Sequence, residues 1–253
     1  MEKFFRFDTY YLKLGAHLFE GGKITKWDSS LKSLRDGDYM FYNCSSLSSF
    51  NSDMDSLVNG GHMFYVCTAL SEYNAQLKVI ENGSYMFAYS KLASFRGDLS
   101  SLTNGDGMFG SCESLTDFDG KSLKNLENGY NMFYRTKIGS KFEYDLPSLT
   151  NGDHMFTDCY NLTEFSGDLS SLETNYHMFA GCINLTSFKS NLSNLRGGLS
   201  MFGSCKLDGE SVNRILTTIS TYTDIVNHHR LDLGMNSTDG KEQFESITGK
   251  SVG

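Results

Sequence analysis

The 253-residue chain has little proline, tryptophan or positive charge, and it has no long apolar run. Pro147 and Trp27 are the only residues of their types. The net charge of −8 disfavours a direct role with nucleic acid, which normally needs a basic surface. No segment has the apolar length that spans a membrane, and Asp8 and Thr9 stand where a signal peptide needs an unbroken apolar core. Sec export is therefore not expected if Met1 is the true start.

The chain also lacks a catalytic pattern. It has no glycine-rich nucleotide loop and no nucleophile beside a base, and a repeat array is not expected to enclose a pocket. We therefore predict a protein that is not an enzyme and has no cofactor. The alternative is an active site near the C terminus, around His228, His229 and Arg230.

One unit of about 23 residues is repeated along most of the chain. A Met-Phe pair recurs at steps of 22 to 24 residues, which is the period of a solenoid. We number positions in each copy from this methionine, which is position 0. Apolar residues stand at positions −9 and −6, and Cys and Leu are frequent at positions 4 and 7. The pairs begin at Met40, Met63, Met86, Met108, Met132, Met155, Met178 and Met201.

Each part of the unit predicts a local structure. Glycine occupies position −3 in every copy but one, which has Asn175, and these two residue types tolerate positive φ best. We therefore predict a left-handed turn there. Positions 0, 1, 4 and 7 are predicted to share one face of a short helical turn. The segment that follows alternates like a short strand, with Phe50 inward and Asn51 outward.

These positions resemble the BspA-like leucine-rich repeats over roughly residues 17 to 207. That family has a similar unit, with a small residue before the Phe, a Cys three residues after it and a turn glycine upstream. Here Met replaces the small residue, and the proline that often follows the strand survives only as Pro147. The resemblance implies a right-handed solenoid of about nine repeats with a parallel ladder of short strands. It also implies adhesion, because such proteins are often found at cell surfaces and similar arrays are associated with phage particles.

The period divides the chain into three parts. Residues 1–16 fit no repeat position and are predicted to cap the first repeat, because a solenoid end exposes its core. Residues 17–207 form the predicted solenoid. Residues 208–253 are predicted to form a cap of helix, strand and helix, with Asp208 as the N-cap of the first helix.

Irregular copies predict local departures from the period. The copies at Met86 and Met132 lack cysteine and bring the next aliphatic residue one position early, as Leu92 and Ile138. One extra residue near Lys121 is expected in an exposed turn. The degenerate first copy places Leu18, Ile24 and Trp27 at the positions of Phe41, Leu47 and Phe50.

All six cysteines stand at position 4, where Ser90 and Thr136 replace them in the other two copies. A disulfide framework would not place every cysteine at one structural position, so we predict a ladder of buried thiols. The alternative is a disulfide between neighbouring repeats, such as Cys159 to Cys182, because strands ~4.8 Å apart lie within disulfide range.

Histidine and cysteine residues of two neighbouring copies could suggest a zinc site, but their spacing does not favour one. Each histidine precedes its methionine whereas each cysteine follows four positions later, so the side chains diverge. The residues concerned are His154, Cys159, His177 and Cys182.

Charged side chains mark the strand positions predicted to face the concave surface. Opposite charges on neighbouring repeats support one another by ~0.2 to 1 kcal/mol per pair, so much of this face is expected to be self-neutralised. The expected neighbours are Lys141 with Asp117 and Glu164, Lys121 with Asp98 and Asp145, and Arg96 with Asp119. The candidates for a polar ligand surface are Glu143, Asp145, Glu164 and Asp168, and a calcium site from Asp145 and Asp168 is a further alternative.

Aromatic residues cluster within five residues of the Met-Phe pairs, at positions other than the buried ones. We expect them to line a lateral or convex flank, where they are either packing over the repeats or an interface or sugar-stacking surface. The candidate binding residues are Tyr130, Tyr134, Tyr160 and Tyr176.

The combined expectation is a recognition protein that binds a host protein or glycan through the faces of a rigid array. Such a protein would lie on an extracellular surface or in a virion. The alternative is a structural component of an assembly, such as a phage decoration or fibre protein. In that case the tyrosine flank contacts sister subunits, and the charged face only keeps the protein soluble.

Overall fold

In a computed structural model, the chain forms a solenoid, and the structure describes residues 9–193 and 200–219. Each coil of the solenoid contributes one short strand and one series of tight turns. Neighbouring strands pair in parallel, so the predicted array of parallel short strands is confirmed. The strands are β1 (Lys26–Trp27), β2 (Ser49–Phe50), β3 (Glu72–Tyr73), β4 (Ser94–Arg96), β5 (Asp117–Asp119), β6 (Lys141–Phe142), β7 (Glu164–Phe165) and β8 (Ser187–Phe188).

The described strands form three separate sheets, β1-β2-β3, β4-β5 and β6-β7-β8. Within each sheet the central aromatic residues of neighbouring strands are 23 residues apart, as Phe142 and Phe165 are. The two interruptions fall where this step changes, to 22 between Tyr73 and Phe95 and to 24 between Phe118 and Phe142. Phe95 and Phe142 are still buried, so the changed spacing interrupts the strand pairing without turning the strands away from the core.

The core continues through both interruptions. The phenylalanine rings at position 1 stack along the array with centroids 5.2 to 5.7 Å apart. The strand aromatics pack against them edge-to-face, as Phe95 does on Phe109 at 4.8 Å. Side chains at positions 0, 1 and 4 are buried in every described coil from that of Met40 to that of Met201, which confirms that they face the core.

The turn segment is not helical, so the predicted helical turn is wrong. Its N–H groups alternate between two kinds of acceptor. The N–H of Met40 donates to the carbonyl of Gly37 within the same coil, at 2.9 Å. The N–H groups of Gly37, Tyr39, Phe41 and Asn43 instead donate to carbonyls of the next coil. Each pair of neighbouring coils is therefore joined by a backbone ladder on the turn side as well as by the strands.

Left-handed backbone occurs at positions −1 and 3 of every described coil, for example at Tyr39 (φ 55°) and Asn43 (φ 55°). The left-handed glycine predicted at position −3 is therefore wrong. Gly129 is needed for space instead, because a Cβ there would lie 2.9 Å from Sδ of Met155 and 3.1 Å from Cδ1 of Leu149. Glycine at this position lets the methionine of the next coil pack directly on the backbone.

A ladder of asparagine side chains at position −4 was not predicted from the sequence. Asn82 Nδ2 donates to Asn59 Oδ1 at 2.8 Å, and Asn104 Nδ2 donates to Asn82 Oδ1 at 3.0 Å. Each oxygen also accepts a backbone N–H two residues further on, such as that of Gly61. The ladder runs from Asp36 to Thr174 and adds side-chain bonds to the turn-side backbone ladder.

In the first coil, Phe19 rather than Leu18 occupies position 1. Its ring stacks on Phe41 with centroids 5.3 Å apart, whereas Leu18 is 52% exposed. The predicted place of Leu18 is wrong because the turn segments of the first two coils are 22 residues apart. Trp27 pairs opposite Phe50, as predicted.

Helix α1 (Gly209–Ile219) follows the last described coil. The N–H of Ser211 donates to Asp208 Oδ1 at 2.8 Å, which confirms Asp208 as the N-cap. Val212 and Ile215 are buried at the end of the core. The strand and second helix predicted after it lie outside the described residues, as do residues 1–8. Within the described ranges, no helix is long and apolar enough to cross a membrane.

Candidate binding surfaces

The six cysteines form a buried ladder at position 4, and their predicted burial is confirmed. Each Sγ lies near a phenylalanine carbonyl of the preceding coil, as Cys182 Sγ lies 3.0 Å from the Phe156 oxygen. Burial raises the pKa of the Cys67 and Cys159 thiols to about 12. A thiol that stays protonated at neutral pH is a poor nucleophile, so the ladder is structural.

The two histidines and two cysteines considered as a zinc site do not lie together in the structure. Cys159 and Cys182 point into the core, whereas the rings of His154 and His177 stack on the outer flank with centroids 5.3 Å apart. In residues 9–193 and 200–219, no group of three His, Cys, Asp or Glu side chains could hold a metal ion. The alternative active site around His228, His229 and Arg230 lies outside the described residues.

The strand face carries ion pairs, as expected, although several partners differ. Lys141 Nζ lies 3.6 Å from Glu164 Oε2, which confirms that predicted pair, and Lys189 Nζ lies 2.7 Å from Glu164 Oε1. Hydrogen bonding to Lys189 is the main cause that lowers the pKa of Glu164. Arg96 pairs with Asp117 instead of Asp119, and Lys121 pairs with Asp119 instead of Asp98 or Asp145. The sequence did not predict either partner, because several carboxylates lie at similar distances along the array and the direction of each side chain decides which one pairs.

The remaining acidic candidates do not converge on a site. Asp145 Oδ1 accepts the backbone N–H of Asp168 at 3.3 Å, and Asp168 Oδ1 accepts that of Ser170 at 2.8 Å. Asp145 therefore joins two neighbouring coils and Asp168 supports a local turn, so neither bond favours the calcium alternative. Glu143 is exposed on the same face.

The N-terminal half of the flank carries a continuous stack of rings, which we call the N-terminal stack. It combines His17, Tyr39, His62 and Tyr85 at position −1 with Tyr42 and Tyr65 at position 2. Tyr39 and His62 stack at 4.4 Å with an interplanar angle of 10°, and His62 and Tyr85 stack at 5.2 Å. Burial lowers the pKa of His62 and raises that of Tyr65, so both rings are favoured in their uncharged forms. Because neighbouring rings stack face to face along the array, mainly the ring edges are accessible to a binding partner.

The four candidate tyrosines separate into two pairs. Tyr130 and Tyr176 each meet His154 edge-to-face, at 6.0 and 5.2 Å. Tyr134 and Tyr160 belong to a different group, which also contains Arg135 and Asp158. The structure therefore does not make one surface of the four residues.

The second pair is joined by charged side chains. The Arg135 guanidinium lies 5.5 Å from the centroid of the Tyr134 ring, and its Nε lies 3.4 Å from Asp158 Oδ2. Burial and the nearby Asp158 carboxylate raise the pKa of Tyr160. We call these four residues the Tyr134–Tyr160 cluster.

Comparison with known families places the repeat. A family described as the BspA type leucine rich repeat region matches residues 3–116, 37–144 and 129–223, in six copies. The chain belongs to the BspA-type leucine-rich repeat family. No curated protein matches it in sequence.

Two solved leucine-rich repeat proteins are similar to this BspA-type chain. One, from Bacteroides ovatus, is 22% identical over 78% of this chain and 69% of that chain, with a TM-score of 0.34. The other, TpLRR from T. pallidum, is 18% identical over 83% of this chain and 87% of that chain, with a TM-score of 0.37.

The BspA-type repeat of this chain places bulky residues in left-handed backbone on its flank. Position −1 accepts Gly107 and Asn131, the residue types that adopt positive φ at least cost. The same position carries His62 (φ 52°), Tyr85 (φ 51°) and His154 (φ 57°). A side chain with a Cβ costs roughly 1–2 kcal/mol in this conformation. The aromatic rings are therefore present although smaller residues would fit the backbone better.

Proposed function

We propose that this BspA-type protein is a non-enzymatic recognition protein that binds a host protein or glycan through its aromatic flank. The proposal places it on an extracellular surface or in a virion. Family membership supports the coarser part, since a leucine-rich repeat array is a scaffold for interactions. The observation that carries the finer part is the run of aromatic residues held in left-handed backbone. Gly107 and Asn131 stand at the same left-handed position, so the backbone does not require an aromatic ring there and the rings serve another purpose.

The two candidate surfaces differ in what they offer a partner. On the strand face, Glu164 already has two lysine partners, so its charge is compensated before any ligand arrives. On the flank, Tyr160 is 44% exposed and Tyr176 is 47% exposed. Exposed tyrosines combine apolar area with a hydroxyl at low entropic cost, and they are enriched in protein interfaces. This contrast supports the flank.

A second candidate function is assembly with sister subunits as a structural component. The same exposed tyrosines support it, because an array of equivalent rings can also meet a copy of itself. Under this alternative, the purified protein forms oligomers and binds no cell.

The test compares three sets of substitutions in purified protein. Each flank tyrosine is replaced by the residue that another coil has at the same position, so that the backbone is preserved. The first set is Tyr130→Ser, Tyr134→Thr, Tyr160→Ser and Tyr176→Ser. The second is Tyr39→Asn, His62→Asn and Tyr85→Asn, which copies Asn131. The third set, on the strand face, is Glu143→Gln, Asp145→Asn, Glu164→Gln and Asp168→Asn.

Binding to candidate host cells and immobilised glycans is then measured beside sedimentation in solution. We expect at least one flank set to lower the apparent affinity tenfold or more, and the strand-face set to change it less than twofold. Loss with the strand-face set alone would place recognition on the other surface. If the wild type binds no cell or glycan but forms oligomers that the flank sets cannot form, recognition is wrong and assembly is right.

A further inference from the structure

We infer that the Tyr134–Tyr160 cluster is a binding subsite for a neutral saccharide. The inference rests on the proposed function, because it takes the flank as the recognition surface. It adds the chemical class of the ligand and the residues that hold it.

The cluster is a connected group on two neighbouring coils. Tyr134 and Arg135 belong to the coil of Met132, and Asp158 and Tyr160 belong to the coil of Met155. The guanidinium bridges them, since it lies over the Tyr134 ring and pairs with the Asp158 carboxylate at 3.4 Å. The same carboxylate lies near the side chain of Tyr160 and, after burial, is the next cause that raises its pKa.

The backbone is shaped to hold the Asp158 carboxylate in place. Arg135 and Asp158 both have left-handed backbone, with φ of 55° and 61°. Gly181 occupies the same position in the next coil, and a Cβ there would collide with Asp158 Oδ1. Asn184 Nδ2 donates to the backbone carbonyl of Tyr160 at 2.8 Å and steadies that residue. The Asp158 carboxylate therefore occupies a space that is open only because residue 181 is a glycine.

The rings of this cluster offer what the N-terminal stack does not. In the described part of the chain, neither Tyr134 nor Tyr160 packs against another aromatic ring, and Tyr160 is 44% exposed. Because the Arg135 guanidinium lies over the Tyr134 ring, the exposed ring of Tyr160 is the one whose face can pack against the apolar C–H face of a sugar. A carboxylate and a guanidinium beside that face can accept from and donate to neighbouring hydroxyl groups. This combination fits a saccharide, whereas rings stacked face to face present only their edges.

The charges of the cluster favour a neutral ligand. Arg135 and Asp158 compensate each other, so the guanidinium is not left unpaired for a carboxylate or a phosphate. The chain as a whole carries a formal charge of −8, which disfavours an acidic polysaccharide further. An uncharged hexose with adjacent hydroxyl groups can join the existing hydrogen bonds without separating the ion pair.

Isothermal titration calorimetry tests the inference with defined probes. The neutral probes are hexasaccharides of glucose, mannose and N-acetylglucosamine, and the charged probe is a hexasaccharide of galacturonic acid. The variants are Tyr160→Ser, Tyr134→Thr and Tyr160→Phe. The matched control is Tyr89→Ser, which removes an exposed flank tyrosine outside the cluster. Thermal unfolding of each variant confirms that it is folded.

We expect a neutral hexasaccharide to bind the wild type, and Tyr160→Ser and Tyr134→Thr each to weaken it tenfold or more. Tyr160→Phe, which keeps the ring, should lose less than Tyr160→Ser, and Tyr89→Ser should change the affinity less than twofold. The inference fails if no neutral probe binds at millimolar concentration, if only the charged probe binds, or if Tyr89→Ser is as damaging as Tyr160→Ser.

Binding to host cells treated with glycosidases distinguishes a failure of the saccharide inference from a failure of the proposed recognition function. If treated cells still bind the wild type and the flank sets abolish that binding, the partner is a protein. The saccharide inference is then wrong and the recognition function stands. If neither treated nor untreated cells bind, the recognition function itself is wrong.

Discussion

The turn side and the strand side of the solenoid are held together in different ways. On the turn side, the N–H groups of Gly83, Tyr85, Phe87 and Tyr89 all donate to carbonyls of the next coil. Every described coil, up to and including the coil of Met178, is joined to the next one by at least two such bonds. On the strand side, pairing stops between β3 and β4 and again between β5 and β6. A residue gained or lost near a strand therefore interrupts the sheet but leaves the turn ladder intact.

This difference explains where a recognition surface can be built. The flank rings are attached to the continuous ladder, so Tyr39 and His62 keep a stacking distance of 4.4 Å. The strand face changes register along the array, and its charges find whichever partner is near, as Arg96 does with Asp117. The more regular side is the one that carries the aromatic residues.

The largest predicted effect comes from filling the space under the turn ladder. Gly129→Val should lower the free energy of unfolding by about 1 to 3 kcal/mol or more, because its Cβ would press on Met155 and Leu149. Gly139→Val is the matched control, since the nearest atom to a Cβ there lies 3.7 Å away. Chemical denaturation of the two variants gives the comparison. Equal effects would mean that position −3 has no special packing.

Cutting the asparagine ladder should have the next largest effect. Asn104 Oδ1 accepts from Asn128 Nδ2 and from the N–H of Asp106, so Asn104→Ala leaves two donors without their acceptor. We expect a loss of about 1 to 2 kcal/mol by chemical denaturation. Asn125→Ala, which removes one exposed bond to Ser100, should cost less than about 0.5 kcal/mol. If both variants cost the same, the ladder adds no stability.

Alkaline pH should destabilise the protein through its thiol ladder. The ordinary thiol pKa is 9.0, and burial raises that of Cys159 to about 12, so between these values only the unfolded thiol ionises. The free energy of unfolding should hold below pH 9 and then fall by about 1.4 kcal/mol per pH unit for each such thiol. Cys159→Ser, which copies Ser90, should reduce this slope in denaturant titrations at pH 8 to 10. An unchanged slope would contradict the assignment.

The smallest effect is expected on the strand face. Glu164→Gln removes a charge that pairs with Lys141 and Lys189, but these lysines are exposed and such pairs contribute little. Its midpoint of unfolding should match that of the wild type within error, as should its binding to a partner. A marked loss of either would show that the strand face does more than neutralise itself.

The sequence predicts the buried positions of this fold well. Phe41 and Cys44 recur at the same place in copy after copy, and repetition identifies a core position better than any single residue can. The asparagine ladder also had a signal, since Asn59, Asn82 and Asn104 share position −4.

The left-handed positions could not be predicted in the same way. They are imposed by hydrogen bonds between coils, and residues such as Arg135 and Val66 give no indication of positive φ. The grouping of the flank rings had no sequence signal either. Tyr134 and Tyr160 meet through Arg135 and Asp158 because of side-chain directions that the period does not specify.

Native-state amide hydrogen exchange tests the contrast between the two sides most directly. The N–H groups of Tyr85, Phe87 and Tyr89 belong to the turn ladder, whereas those of Ser94 and Lys141 lie in β4 and β6, beside the interruptions of the strand pairing. The account predicts uniformly slow exchange at the turn-ladder amides in every coil and faster exchange at Ser94 and Lys141. Fast exchange along the turn ladder, with slow exchange at those two strand amides, would contradict it.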